Sequence, residues 1–307
     1  MSPKTIQRYH GVVVPMVTPF TAGGNLDEPA VRRIVEHLIA GGVAGIFVLG
    51  TTGENASIPP ALRLRLVAVT VEQTAGRAMT YAGISDNCFA TSIEAGEAVA
   101  RLGVDACVAH LPYYYALTPD EQRTYYAALA DRLPAPLMLY NIPSTTHMSL
   151  DLDVTRKLAD HRNIIGLKDS ERDEERLKAV MRLVGGRDDF AVLVGAAPLS
   201  ALGLALGANG LVPSSGNLVP DLCQRLHEAG SQGDYTTAQA YQEKIDRIAA
   251  TYQRGRTLGQ TLGALKAAMG AQDLCDPYVL LPLHTLPPTE QEQVRQDFIR
   301  LRTELGS

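Results

Sequence analysis

Ile164-Ile165-Gly166-Leu167-Lys168-Asp169-Ser170 is the stretch from which the fold of this chain is read. Four apolar or small residues run without a polar break and then stop at a lysine. A strand with one wet face alternates apolar and polar side chains, whereas a parallel strand covered on both faces reads as an unbroken apolar run. Seven further runs of this kind occupy residues 12–17, 45–49, 79–82, 106–109, 137–140, 190–194 and 210–212. Helical patterns separate them. In the clearest, Val31, Ile34, Val35, Leu38 and Ile39 recur at helical spacing, with Asp27 placed to cap the start and Gly41-Gly42 to end it. In another, Thr118-Pro119-Asp120-Glu121 combines a capping box with proline at the first helical position, and Tyr125, Leu129 and Leu133 follow.

Eight such strands alternating with helices predict an α/β fold, a (β/α)8 TIM barrel. An open doubly wound sheet usually carries a glycine-rich nucleotide fingerprint after its first strand. Here the first strand runs into Met16-Val17-Thr18-Pro19-Phe20, and G-x-G-x-x-G is absent. From about Pro220 strand signals stop, and residues 222–229, 235–251, 259–269 and 289–305 read as helices. We therefore expect the barrel over residues 1–225 and a C-terminal helical extension over residues 226–307, packed on the barrel.

With 307 residues, 46% of them hydrophobic and 20% charged, the chain can bury a large core. Net charge is −5 and the 28 basic residues are scattered, which argues against nucleic-acid or anionic-membrane partners. Residues 1–10 lack the regions of a signal peptide, and no apolar stretch approaches a membrane span. Cys88, Cys107, Cys223 and Cys275 lie far apart and form no C-x-x-C pair, so a reducing cytoplasm is the expected compartment. The seven histidines form no H-E-x-x-H, and neither a metal nor another cofactor is expected.

Catalytic groups of such barrels sit at the carboxyl ends of the strands. Of six lysines, Lys168 alone closes an apolar strand, while Lys157, Lys178 and Lys244 fall on charged helical stretches. Burial disfavours the ammonium form and yields an amine able to attack a carbonyl. The plainer alternative is an ion pair with Asp169 or Glu171. Lys266, in Leu265-Lys266-Ala267-Ala268, is expected to snorkel to water. Tyr140 ends Leu137-Met138-Leu139-Tyr140, where a phenol can shuttle protons or simply serve the core. Gly50-Thr51-Thr52-Gly53-Glu54 follows the second strand; its glycines suit a tight turn and its threonines suit a carboxylate, although an ordinary βα turn has the same composition. Together the three make a working site for aldol chemistry through a lysine imine.

The order Gly50-Thr51-Thr52-Gly53-Glu54, Tyr140-Asn141-Ile142-Pro143, Gly166-Leu167-Lys168-Asp169-Ser170 resembles the dihydrodipicolinate synthase / N-acetylneuraminate lyase family of pyruvate-dependent aldolases, across residues 11–218. That resemblance implies Lys168 as the Schiff-base lysine, Tyr140 as the proton-transfer residue with Thr51 in its relay, and Thr51 and Thr52 as the carboxylate site. Tyr114, in Pro112-Tyr113-Tyr114, would reach a neighbouring subunit's site, implying a homo-oligomer, a dimer or a dimer of dimers. Gly195 and Val212 would line the pyruvate pocket. Two positions depart from the pattern. Thr145 stands where dihydrodipicolinate synthases typically carry an arginine for the aldehyde's carboxylate, and a guanidinium that grips a carboxylate bidentately has no neutral substitute. Ala196-Ala197-Pro198 stands where sialic-acid lyases place acidic side chains. Ser214, Thr145, Thr146, His147 and Ser170 would supply neutral hydrogen bonds to a hydroxylated second half.

The resulting expectation is a class I aldolase or lyase acting on pyruvate or a 2-keto-3-deoxy sugar acid. Its alternatives are 4-hydroxy-tetrahydrodipicolinate synthase and a dehydratase using the same imine. Two readings of other classes are a non-catalytic binder of 2-oxo acids and a phosphate-handling barrel isomerase, served by Gly195-Ala196-Ala197 and Ser214-Ser215-Gly216.

Overall fold

The computed structural model describes Ile6 and residues 8–306. Eight parallel strands close into a barrel in sequence order: β1 (Gly11–Pro15), β2 (Gly45–Val48), β3 (Met79–Gly83), β4 (Ala106–His110), β5 (Leu137–Asn141), β6 (Ile164–Asp169), β7 (Ala191–Val194) and β8 (Gly210–Leu211). The helices around them are α1 (Glu28–Ala40), α2 (Pro60–Thr74), α3 (Phe89–Arg101), α4 (Pro119–Arg132), α5 (Pro143–Thr146), α6 (Leu152–Ala159), α7 (Glu174–Val184), α8 (Ser200–Ala205) and α9 (Pro220–Ser231). α10 (Tyr235–Gln253), α11 (Leu258–Gly270) and α12 (Pro288–Leu305) follow. Among the described residues no helix is long and apolar enough to cross a membrane.

The helix starts follow from their caps. The Asp27 carboxylate accepts from Ala30 N–H at 3.0 Å, and both halves of the Thr118–Glu121 capping box form. The period-two alternation of the strands divides the apolar residues into two layers. Val12, Val14, Ile46, Leu139 and Leu167 face the helices, whereas Val13, Phe47, Val108, Tyr140, Leu193 and Val212 fill the barrel interior. β5 and β6 pair in a register that sets Tyr140 beside Lys168 and Asn141 beside Asp169. The polar residues at the strand ends thus belong to the ladder rather than to the loops beyond it.

The expected boundary after residue 225 falls inside α9. That helix runs unbroken from Pro220 to Ser231 and packs on β1 and α1, so it closes the barrel's outer ring. The extension consists of α10 to α12, with α10 packed on α8 and α9.

Lys266 corrects a second expectation. Its side chain is 0% exposed and does not reach water. It forms an ion pair with Glu54, donates to the Tyr278 carbonyl at 2.7 Å and lies 4.5 Å from the centroid of the Phe20 ring. The other oxygen of Glu54 accepts from Leu280 N–H at 3.3 Å. An isolated α11 pattern offers no sign that its lysine meets a carboxylate on the turn after β2. The pair ties the extension to that turn, and removing one partner would strand a buried charge. Lys266→Met is expected to lose about 3–5 kcal/mol of stability, whereas Glu54→Gln/Lys266→Met, which keeps an acceptor for Leu280, recovers at least half of it; urea unfolding of both variants checks this.

Candidate active site

Lys168 enters the barrel interior from β6 and is 5% exposed. Its Nζ lies 3.8 Å from the centroid of the Tyr140 ring and 4.8 Å from that of Phe47. Burial lowers the pKa of this amine from its ordinary value, and the Tyr140 phenol, its hydrogen-bond partner, opposes the shift only in part. Neither carboxylate next to it in sequence neutralises it. Asp169 follows Lys168 on the strand and so points to the opposite side of the sheet. There Arg176 of α7 binds Asp169 at 2.9 Å and Glu171 at 3.0 Å, while the Asn141 amide donates to both at 3.1 and 3.0 Å. The ion pair that would have given Lys168 a merely structural role is taken by an arginine.

The turn after β2 brings the Thr51 hydroxyl within 3.2 Å of the Tyr140 hydroxyl. Its backbone bonds run from Glu54 N–H to Thr51 O at 3.1 Å and from Asn55 N–H to Gly50 O at 3.3 Å, which leaves the Thr51 and Thr52 N–H groups outside the turn's own bonding. Left-handed conformations occur at Leu49, φ 59°, and Glu54, φ 60°, not at the glycines. The glycines are required for space instead. A Cβ on Gly50 would lie 2.7 Å from the Phe47 ring, and one on Gly53 would lie 3.0 Å from the Met16 carbonyl. Non-glycine residues held at positive φ carry strain that the surroundings must offset, and the buried Glu54–Lys266 pair anchors one of them.

Gly195 follows β7. A Cβ there would fall 2.1 Å from the Ser170 hydroxyl and 3.0 Å from Lys168 Cε, so its bareness is what admits the lysine side chain. Val212 lies in the interior layer, its N–H bonded to Val194 O at 2.7 Å. Gly195 and Ser170 thus lie close to Lys168. Several other expected residues make contacts of their own. The Ser214 hydroxyl is 3.2 Å from the Tyr252 hydroxyl of α10, and those of Thr145 and Thr146 lie 3.3 and 3.0 Å from the Ile142 carbonyl. His147 is exposed, and Tyr114 is 75% exposed, stacked edge-on against Tyr115.

A cavity of about 360 Å³ opens in front of Tyr140 and Phe47, lined also by Thr51, Thr145, Tyr113 and His110. His110 ends β4 and went unremarked in the sequence, although the strand-end rule points to it. Burial lowers its pKa, its Nδ1 is 2.8 Å from the Leu111 carbonyl, and its ring centroid is 6.1 Å from that of Tyr140. Phe47 gave no signal because an aromatic inside an apolar strand reads as core. A buried amine whose pKa burial lowers, a phenol in contact with it and a hydroxyl on that phenol can bind a carbonyl compound as an imine and carry protons to and from it.

Residues 8–300 match the model of the dihydrodipicolinate synthetase family. A 4-hydroxy-tetrahydrodipicolinate synthase of Hyphomonas neptunium is 34% identical over 285 residues, 92% of this chain and 95% of its own. The structure of dihydrodipicolinate synthase from Bacteroides thetaiotaomicron superposes with a TM-score of 0.90 at 34% identity, covering 95% of this chain and 98% of that one. YagE, a prophage protein of E. coli K12 of the dihydrodipicolinic acid synthase family solved in complex with pyruvate, superposes at 0.89 with 28% identity, covering 96% and 99%.

The burial of Lys168 fixes a pH dependence. Its folded-state pKa lies below the unfolded one, so the unfolded chain binds the proton more tightly and the residue lowers stability most at pH values below the folded pKa. That penalty fades as pH rises toward the unfolded value. Lys168→Met is therefore more stable than the parent protein at pH 7, and denaturant unfolding as a function of pH shows the gap narrowing towards pH ~10.

Proposed function

Because the chain belongs to the dihydrodipicolinate synthetase family, we propose that it is a class I lyase that makes or breaks a carbon–carbon bond next to the carbonyl of pyruvate through an imine on Lys168. The observation that carries the proposal is the amine itself, buried against Tyr140 and Phe47 with no carboxylate paired to it among the described residues. The amine adds to C2 of pyruvate and water leaves. The iminium then takes up the electron pair released when a C3 proton departs, and the enamine carbon bonds to an aldehyde carbon. Hydrolysis of the imine releases the product and restores the amine. Cleavage runs through the same steps in reverse. Tyr140 carries the protons, Thr51 extends the relay, and the Thr51–Thr52 turn receives the pyruvate carboxylate. Gly195, Val212 and Ser170 form the floor of the pyruvate site. Tyr114 belongs to contacts with a second copy of the chain in a homo-oligomer.

A second reading, 4-hydroxy-tetrahydrodipicolinate synthase, is favoured by the names of the relatives more strongly than the sugar-acid reading is by any residue. The hydroxyls expected to meet a sugar acid lend little support, since those of Ser214, Thr145 and Thr146 have partners of their own. Thr145, in the cavity wall, argues against an aldehyde bearing a carboxylate. A dehydratase using the same imine would differ only in the bond broken after enamine formation.

Borohydride in the presence of pyruvate is expected to leave a reduced adduct on the Lys168 peptide, absent from Lys168→Ala and located by peptide mass mapping. Tyr140→Phe is expected to retain the adduct while turnover falls about 10²–10⁴-fold. An unmodified parent protein would reduce the site to a pocket for 2-oxo acids.

A further inference from the structure

We infer that the extension forms an apolar acceptor subsite, and that the aldehyde joined to pyruvate is uncharged with an apolar tail selected by Leu258, Leu262 and Leu283. The inference rests on the imine reading above.

The cavity in front of Tyr140 has one wall from the barrel, where Phe47 and Leu49 stand beside polar groups such as Asn55, Ser85 and Asn87, and a second from Leu258 and Leu262 of α11 and Leu283 beyond it. The second wall is built rather than draped. Leu262 and Lys266 are one helical turn apart on α11, so the buried Glu54–Lys266 pair fixes the stripe that carries the leucines. The irregular segment beyond α11 is held at the same point, through Leu280 N–H on Glu54, and Leu283 N–H bonds back to the Leu280 carbonyl at 3.0 Å. A Cβ on Gly259 would lie 2.8 Å from Leu283 Cδ2, which shows how closely the two parts of this wall pack.

Cationic groups that would receive a carboxylate are scarce here. Among the described residues lining the cavity, Arg63 is the only lysine or arginine. Its Nε donates to the Ile58 carbonyl at 2.7 Å, and burial lowers its pKa while the Asp86 carboxylate in the same lining opposes that shift. Thr145 offers a hydroxyl already directed at Ile142 O. A carboxylate entering this space would be desolvated with Arg63 alone among the lysines and arginines of the lining to meet it, whereas an alkyl or aryl tail loses only water contacts. The volume, about 360 Å³, suits such a small molecule.

The test measures kcat/KM for addition of pyruvate to hexanal and benzaldehyde, to succinic semialdehyde, and to glyceraldehyde, with borohydride trapping of pyruvate run alongside. Apolar aldehydes are expected to exceed both others by about 10-fold or more, the scale on which apolar pockets discriminate. In Leu262→Gln and Leu283→Gln the ratio of hexanal to glyceraldehyde efficiency is expected to fall by a similar factor, a ratio that partial misfolding leaves unchanged. A preference for succinic semialdehyde, above all one lost in Arg63→Gln, overturns the inference, as does an unchanged ratio in the leucine variants. Trapping with refusal of apolar aldehydes sinks this inference alone; absence of trapping sinks the imine reading and this one with it.

Discussion

An amine held against two aromatic rings, with the carboxylates nearest to it in sequence bound elsewhere, is the constraint on which the rest of the site depends. Lys168 and Asp169 are consecutive, yet a strand sends them to opposite faces of the sheet. Arg176 and Asn141 then occupy Asp169 and Glu171 on the outer side. Burial therefore acts on the lysine without a compensating anion, and its pKa moves down. Had Asp169 shared its face, the ammonium form would have been stabilised and the nucleophile lost.

The remaining geometry serves this lysine. Gly195 leaves room for its methylene chain, Tyr140 reaches it from the neighbouring strand, and the turn after β2 sets Thr51 on the Tyr140 hydroxyl. The turn holds Leu49 and Glu54 in left-handed conformations that bulky L-residues adopt at a cost. Part of what offsets that cost comes from far along the chain, where α11 delivers Lys266 to Glu54. The extension is thus joined to the turn after β2, and the leucines it brings along meet the cavity.

Much of this was legible in the sequence because it follows local rules. Unbroken apolar runs with strand length identify a barrel buried on both faces, and the strand-end rule isolates Lys168, Tyr140 and the Thr51–Thr52 turn. What escaped depends on contacts between distant segments. Lys266 on α11 looks like any helical lysine until Glu54 is placed against it. The glycines of the turn suggest backbone freedom, whereas the structure uses them to admit the Phe47 ring and the Met16 carbonyl. The boundary drawn after residue 225 cuts through α9, which reads as one more tail helix until β1 is seen beneath it. Ser214 illustrates the same limit, since its partner is Tyr252 on α10.

The most direct measurement is the titration of Lys168 itself. With six lysines in the chain, the 13C resonances of ε-labelled lysine can be followed by NMR across pH and assigned with Lys168→Met. The account predicts that Lys168 titrates clearly below the ordinary lysine value of about 10.4, and below the other lysines that expose their ammonium groups. A Lys168 titrating at or above that value would mean that an anion stabilises its charge, and would contradict the account at its centre.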